Sequence, residues 1–184
     1  MNGGRLDKDD YFLQMAALVA RRGTCLRRAV GCVLVNELGH VIATGYNGVA
    51  RGMPHCNDRV RHYDERDEVS GAWVWKTPHA CPAAHAASGT QLEGCEAIHA
   101  EQNALLQCGD VGKIRTCYVT TAPCVTCTKL LLNTGCRRII FSEDYPQAQA
   151  ARDLWQRDPE LGRVWTRLQF SSLDRPSPER PGPG

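Results

Sequence analysis

The chain has 184 residues, 42% of them hydrophobic, and a formal net charge of +2; that length buries one sizeable core and sets the expectation of one domain. Nothing basic is longer than the Arg21-Arg22 and Arg27-Arg28 pairs, so a large electrostatic footprint for nucleic acid is not demanded and the bulk charge points weakly to a small substrate. No stretch approaches the roughly 18 apolar residues of a membrane span, and Met1 to Gly4 carry no export signal, so a soluble, cytoplasmic protein is expected, in which ten cysteines point to metal ligation rather than disulfides.

In chain order, Tyr11, Phe12, Met15, Leu18 and Val19 fall at helical spacing between Lys8 and Arg22, with Gly23 as the stop; this helix is expected to pack on a sheet and do no chemistry. Ala29 to Val35 and Val41 to Tyr46 read as a β-hairpin turning through 36–40. Gly45-Tyr46-Asn47-Gly48 follows, an ordinary turn by its spacing, although the Asn side chain offers both donors and acceptors.

From about Gly52 to Gly94 no period is sustained, and the stretch is rich in Pro, Gly, His and Cys. A loop of that length inside a compact domain needs a function or something to pin it. Cys56, Cys81 and Cys95, joined by Cys25, make a candidate second zinc site of four thiolates. The alternatives are buried apolar cysteines, or a histidine among His55, His79 and His85 taking one place. Trp73 and Trp75 are read as apolar anchors rather than a stacking platform for a base.

Glu96 to Cys108 resumes a helical pattern, Thr116 to Thr121 reads as a strand and Cys124 to Asn133 as a helix. Arg138 to Ser142 is the next strand, Gln147 to Gln156 a helix, and Val164 to Phe170 a last strand. Residues 1–173 are thus expected to form one domain with an insertion at about 52–94, followed by a disordered Pro/Gly-rich tail, 174–184.

Two pieces of this chain carry chemistry: His99-Ala100-Glu101 and Pro123-Cys124-Val125-Thr126-Cys127. Zinc takes imidazole and thiolate ligands, and a catalytic site supplies three and leaves the fourth position open; His99, Cys124 and Cys127 make that set. A Cys-x-x-Cys at a helix start has both sulfurs on one side, and the helix N-terminus favours thiolates. Glu101, close to the ion without binding it, is placed to move protons between water and a leaving amine. The combination is the H-x-E with P-C-x-x-C signature of zinc-dependent nucleobase deaminases.

Further segments accompany the motif: Thr24-Cys25, 30–35, Thr44-Gly45-Tyr46-Asn47-Gly48, Gly52-Met53-Pro54-His55-Cys56, 95–104 and 123–135. On these residues the chain, from about Tyr11 to Phe141, resembles the deoxycytidylate (dCMP) deaminase family of the cytidine deaminase-like fold. Ala50, Thr128 and Cys136 depart from usual family residues, and 57–93 resembles the inserted zinc-bearing segment of bacterial and phage members.

The resemblance implies a three-layer α/β/α sandwich with a central mixed five-stranded sheet, and zinc-dependent conversion of dCMP to dUMP and ammonia, supplying thymidylate synthesis. It implies that Asn47 binds the sugar and that the Ala100 amide and Glu101 carboxylate contact the pyrimidine. It also implies a homo-oligomer, dimer or hexamer, activated by dCTP and inhibited by dTTP. No motif fixes the 5′-phosphate ligands; Arg27, Arg28 and Arg51 are the candidates. The rival readings are deamination of a modified dCMP, of cytidine or of adenosine in tRNA, and a non-catalytic zinc-bearing module that binds nucleic acid.

Overall fold

The computed structural model describes residues 5–169 except 57, 59–61, 67–68, 72, 77–80, 82, 84–85, 88, 92–93 and 147, and only the backbone of 62–66 and 73–76. His79, His85, Phe170, the tail at 174–184 and the side chains of Trp73 and Trp75 therefore lie outside what is described. The strands are β1 (Gly31–Asn36), β2 (Val41–Tyr46), β3 (His62–Arg66), β4 (Trp73–Lys76), β5 (Ile114–Thr121), β6 (Arg138–Glu143) and β7 (Val164–Arg167). The helices are α1 (Lys8–Ala20), α2 (Ala100–Gln107), α3 (Val125–Leu132) and α4 (Ala148–Trp155).

Five strands form one mixed sheet in the order β2-β1-β5-β6-β7. β1 runs antiparallel to both β2 and β5, while β5, β6 and β7 are mutually parallel. The two parallel steps cross over through α3 and α4, since parallel neighbours cannot be joined by a tight turn. Strand residues alternate between two apolar layers. Val33, Val35, Tyr118 and Ile140 face Phe12, Leu13 and Ala16 of α1. Cys32, Leu34, Cys117 and Val119 share the other core with Ala100, Ala104, Leu131 and Trp155 from the remaining helices. That is the α/β/α sandwich expected.

The stripe α1 lays on the sheet differs from the expected one: Phe12, Leu13, Ala16 and Ala20 are buried, whereas Tyr11 and Leu18 are exposed. Small residues carry the contact because the helix touches bare backbone. A Cβ on Gly31 would stand 2.1 Å from the Ala16 oxygen, and one on Gly45 would stand 2.3 Å from both the Ala100 oxygen and the Ala104 nitrogen. Each of two helices thus rests on a strand glycine.

Helix starts also shift. α2 begins at Ala100, not Glu96, because Gly48 and Ile98 form a backbone bridge that keeps 98 extended. α3 begins at Val125, with Cys124 as its N-cap. The 52–94 segment is not wholly irregular: β3 and β4 pair antiparallel within it. The mostly polar His-Tyr-Asp-Glu-Arg run of β3 offers no alternating apolar pattern to betray a strand.

Asp9, in the first turn of α1, ties that helix to the sheet. The Tyr118 hydroxyl donates to its Oδ1 at 2.6 Å and Arg138 Nη2 to its Oδ2 at 2.7 Å. Asp9→Ala leaves a buried phenol without an acceptor and is expected to cost about 1–3 kcal/mol in chemical denaturation.

Burial, then the hydrogen bond to Asp9, holds the Tyr118 phenol above its ordinary value of 10. The fold therefore stabilises the neutral phenol, so this contribution is complete below pH 10 and is lost as pH rises beyond it. Thermal stability should fall above that pH, and less steeply in Tyr118→Phe. Gly45→Ala should force α2 away from β2, lowering stability by about 1–3 kcal/mol and weakening metal uptake measured by competition with a chelator.

Candidate active site and metal centre

His99 is the N-cap of α2, Cys124 is the N-cap of α3, and Cys127 lies in the first turn of α3. The two helix starts bring the three side chains together. His99 Nδ1 is 3.5 Å from Cys124 Sγ and 3.4 Å from Cys127 Sγ, and all three donor atoms lie within 4.8 Å of one another. Zinc with usual bond lengths in a tetrahedron sets N to S edges of about 3.5 Å, so the observed spacing fits that ion. Three protein donors leave such an ion one further position.

The electrostatics agree with the donor set. Cys124 is pushed well down toward thiolate by a hydrogen bond from the Cys127 thiol, and further by His99 and the Cys127 N–H, against the effect of burial. The same shared proton, with burial, pushes Cys127 up, and the hydrogen bond with Cys124 raises His99. Glu101, only 4% exposed, is pushed up chiefly by burial, with the His99 charge opposing.

The residues after Glu101 have identifiable duties. Gln102 Oε1 accepts from the His99 N–H at 2.9 Å, which fixes the cap. Asn103 Nδ2 donates to the Tyr46 oxygen at 2.8 Å, tying α2 to the end of β2. Sequence reading took this stretch as a family mark without seeing that it positions His99 and Glu101.

His99, Ala100, Glu101 and Cys124 border one cleft. Asn47 borders it too, held by the backbone: its Oδ1 accepts from the Val30 N–H at 2.8 Å and its Nδ2 donates to the Arg28 oxygen at 2.6 Å. Arg27 and Arg28 both line the cleft. Arg28 Nη1 reaches Thr121 Oγ1 at 3.3 Å. Arg51 sits in the exposed turn after β2 and does not line the cleft. Tyr145, which sequence reading passed over, does line it; it lies in the loop after β6 and carries no motif of its own.

Cys25 and Cys95 border the same cleft. Cys56 and Cys81 are buried against Ala83, with Cys95 packed beside them. Burial and the neighbouring Cys81, Cys25 and Cys95 thiols push Cys56 up to about 12. The four cysteines thus share one neighbourhood. Among the described residues, however, only His99, Cys124 and Cys127 have three donors at ligating separation.

Cys124→Ala is expected to lower bound zinc by one equivalent in elemental analysis, whereas Cys108→Ala, outside both clusters, should leave the metal content unchanged.

A family profile described as the cytidine and deoxycytidylate deaminase zinc-binding region matches residues 6–143. The deoxycytidylate deaminase of Schizosaccharomyces pombe is 38% identical over 141 residues, 74% of this chain and 37% of that protein. The one from Saccharomyces cerevisiae is 37% identical, with 38% of its length covered, so this chain spans under two-fifths of either fungal relative. The deoxycytidylate deaminase of Mycobacterium phage D29 is 35% identical over 76% of this chain and 98% of its own length. The crystal structure of dCMP deaminase from the cyanophage S-TIM5 in complex with dCMP and dUMP has the same fold. It superposes with a TM-score of 0.58 over 87% of this chain and 96% of that one, at 21% identity. With its zinc-type donor set, buried glutamate and matching fold, the chain belongs to the cytidine and deoxycytidylate deaminase family.

Proposed function

We propose that the protein hydrolyses the exocyclic amine of dCMP, giving dUMP for thymidylate synthesis and ammonia. The observation that carries this is a buried Glu101 beside the His99, Cys124 and Cys127 donor set, at a cleft that Glu101, His99, Cys124, Asn47 and Arg28 border. The relatives named deoxycytidylate deaminase support dCMP as the substrate.

His99, Cys124 and Cys127 would hold zinc, which when bound would supply the Lewis acidity that makes water nucleophilic at neutral pH. Glu101 accepts the proton of the attacking water and delivers it to N3 of the cytosine, then takes the proton of the hydroxyl formed at C4 and passes it to the amine leaving C4. Burial suits it to the task, because a carboxyl raised by desolvation can hold a proton between transfers. The Ala100 N–H and Glu101 orient the pyrimidine, Asn47 holds the sugar, and Arg28 takes the 5′-phosphate.

The reading extends to residues 1–173 as one domain, with Cys25, Cys56, Cys81 and Cys95 closing on a structural zinc that anchors the 52–94 insertion. It also extends to a homo-oligomer activated by dCTP and inhibited by dTTP. No helix among the described residues is long and apolar enough to cross a membrane.

Ammonia release from zinc-replete protein should be fastest with dCMP among dCMP, dCTP, deoxycytidine, 5-substituted dCMP and a tRNA substrate; preference for any other would overturn the substrate assignment. Glu101→Gln should keep fold and zinc while kcat falls about 10²- to 10⁴-fold. Elemental analysis should find two zinc ions per chain, and one in Cys56→Ala; a single ion in the unaltered protein would sink the second site.

A further inference from the structure

Arg27 and Arg28 are neighbours on one wall of the cleft, which invites a shared role as phosphate ligands, yet their guanidinium groups are used differently. Arg27 Nη2 donates to the Ala87 oxygen at 2.5 Å and to the Thr90 oxygen at 2.7 Å. An Nη nitrogen carries two hydrogens, so these two carbonyls use both. The carbonyls belong to the insertion, more than fifty residues away in sequence, where the Thr90 N–H and Oγ1 donate to the Ala87 oxygen at 3.1 and 2.8 Å and close a turn.

Within that turn Gly89 adopts φ +85° and presents bare backbone to Tyr145; a Cβ there would stand 3.3 Å from the Tyr145 hydroxyl. Gly89, Tyr145, Arg27 and Glu101 all border the cleft. The Arg27 and Arg28 charges are both felt at Tyr145, and that of Arg27 at Cys95 as well. A loop with little helix or sheet of its own stays ordered only through such ties. Two charge-assisted bonds to its carbonyls are the strong kind.

We infer that Arg27 is a positioning residue: by gripping the Ala87 and Thr90 carbonyls it seats Gly89 against Tyr145 and so sets the shape of the cleft wall for the nucleoside part of the substrate. Arg28, whose Nη1 reaches Thr121 Oγ1 at 3.3 Å and the Asp144 oxygen at 3.5 Å, keeps its Nη2 and Nε hydrogens for the 5′-phosphate. The kinetic part of this inference rests on the deaminase reading; the structural part does not.

The test compares the zinc-replete full chain with Arg27→Ala, Arg27→Lys and Arg28→Ala. KM of Arg27→Ala should rise about tenfold, and equally for dCMP and deoxycytidine. Arg28→Ala should lose affinity for dCMP alone. Millimolar guanidinium ion should restore Arg27→Ala for both substrates, and Arg27→Lys should recover part of the loss. Independently of turnover, hydrogen exchange in Arg27→Ala should accelerate over 83–95 while β1 and β5 keep their protection.

A loss confined to dCMP, with exchange over 83–95 unchanged, would make Arg27 a phosphate ligand and overturn the inference. Faster exchange throughout the chain, with kcat reduced and KM constant, would reduce Arg27 to a general stability role and overturn it too. If the unaltered protein deaminates neither substrate, the deaminase reading falls, and the exchange over 83–95 still decides whether Arg27 holds the turn.

Discussion

Gly48 and Ile98 exchange backbone hydrogen bonds of 3.1 and 2.9 Å, and that bridge determines where α2 begins. The chain entering the helix is held extended until His99, so the imidazole sits at the cap and Glu101 in the first turn rather than a turn further along. Gly45, three residues before Gly48, lets α2 lie on β2 with backbone touching backbone. Asn103 fastens the helix to the Tyr46 oxygen. A single short segment, Gly45 to Gly48, therefore sets the depth, register and start of the helix that His99 caps and whose first turn carries Glu101.

The second helix, α3, meets this point from the crossover after β5. Cys124 caps it and Cys127 follows one turn on, so both sulfurs lie where unpaired N–H groups and the helix dipole favour negative charge. Burying two thiolates and a carboxylate together would be costly without compensation. A divalent cation offsets two of those charges, and burial leaves Glu101 disposed to keep a proton. The three donors and Glu101 are in this sense parts of one electrostatic arrangement.

The cleft is completed by segments that make little regular structure. Arg28 and Asn47 come from either end of the β1–β2 hairpin, Tyr145 from the loop after β6, and Gly89 from the insertion. The insertion reaches the cleft because the Arg27 guanidinium holds its carbonyls and because Cys25 and Cys95 pack near Cys56 and Cys81. The strands supply rigidity, and these loops supply the walls, the usual division between scaffold and site.

The sequence by itself marked His99, Cys124 and Cys127, which the fold brings to ligating separation, and Glu101, which it buries beside them, while the family resemblance implied the sandwich. His99, Glu101, Cys124 and Cys127 are legible because their chemistry is local: residues two or three apart at a helix start share a side whatever surrounds them. The strands of the sheet were legible because apolar patterning has a short period. Tertiary structure alone decided what depends on partners far along the chain. The start of α2 was set by Gly48, the buried stripe of α1 by a glycine on β1, and the hairpin within 52–94 by backbone pairing that its polar residues do not announce. The arginines show the limit most clearly. A guanidinium on a long flexible stem takes its direction from whichever acceptors the fold brings near, so only the folded chain separates Arg27, spent on the carbonyls of a distant turn, from Arg28 on the cleft wall and Arg51 outside it.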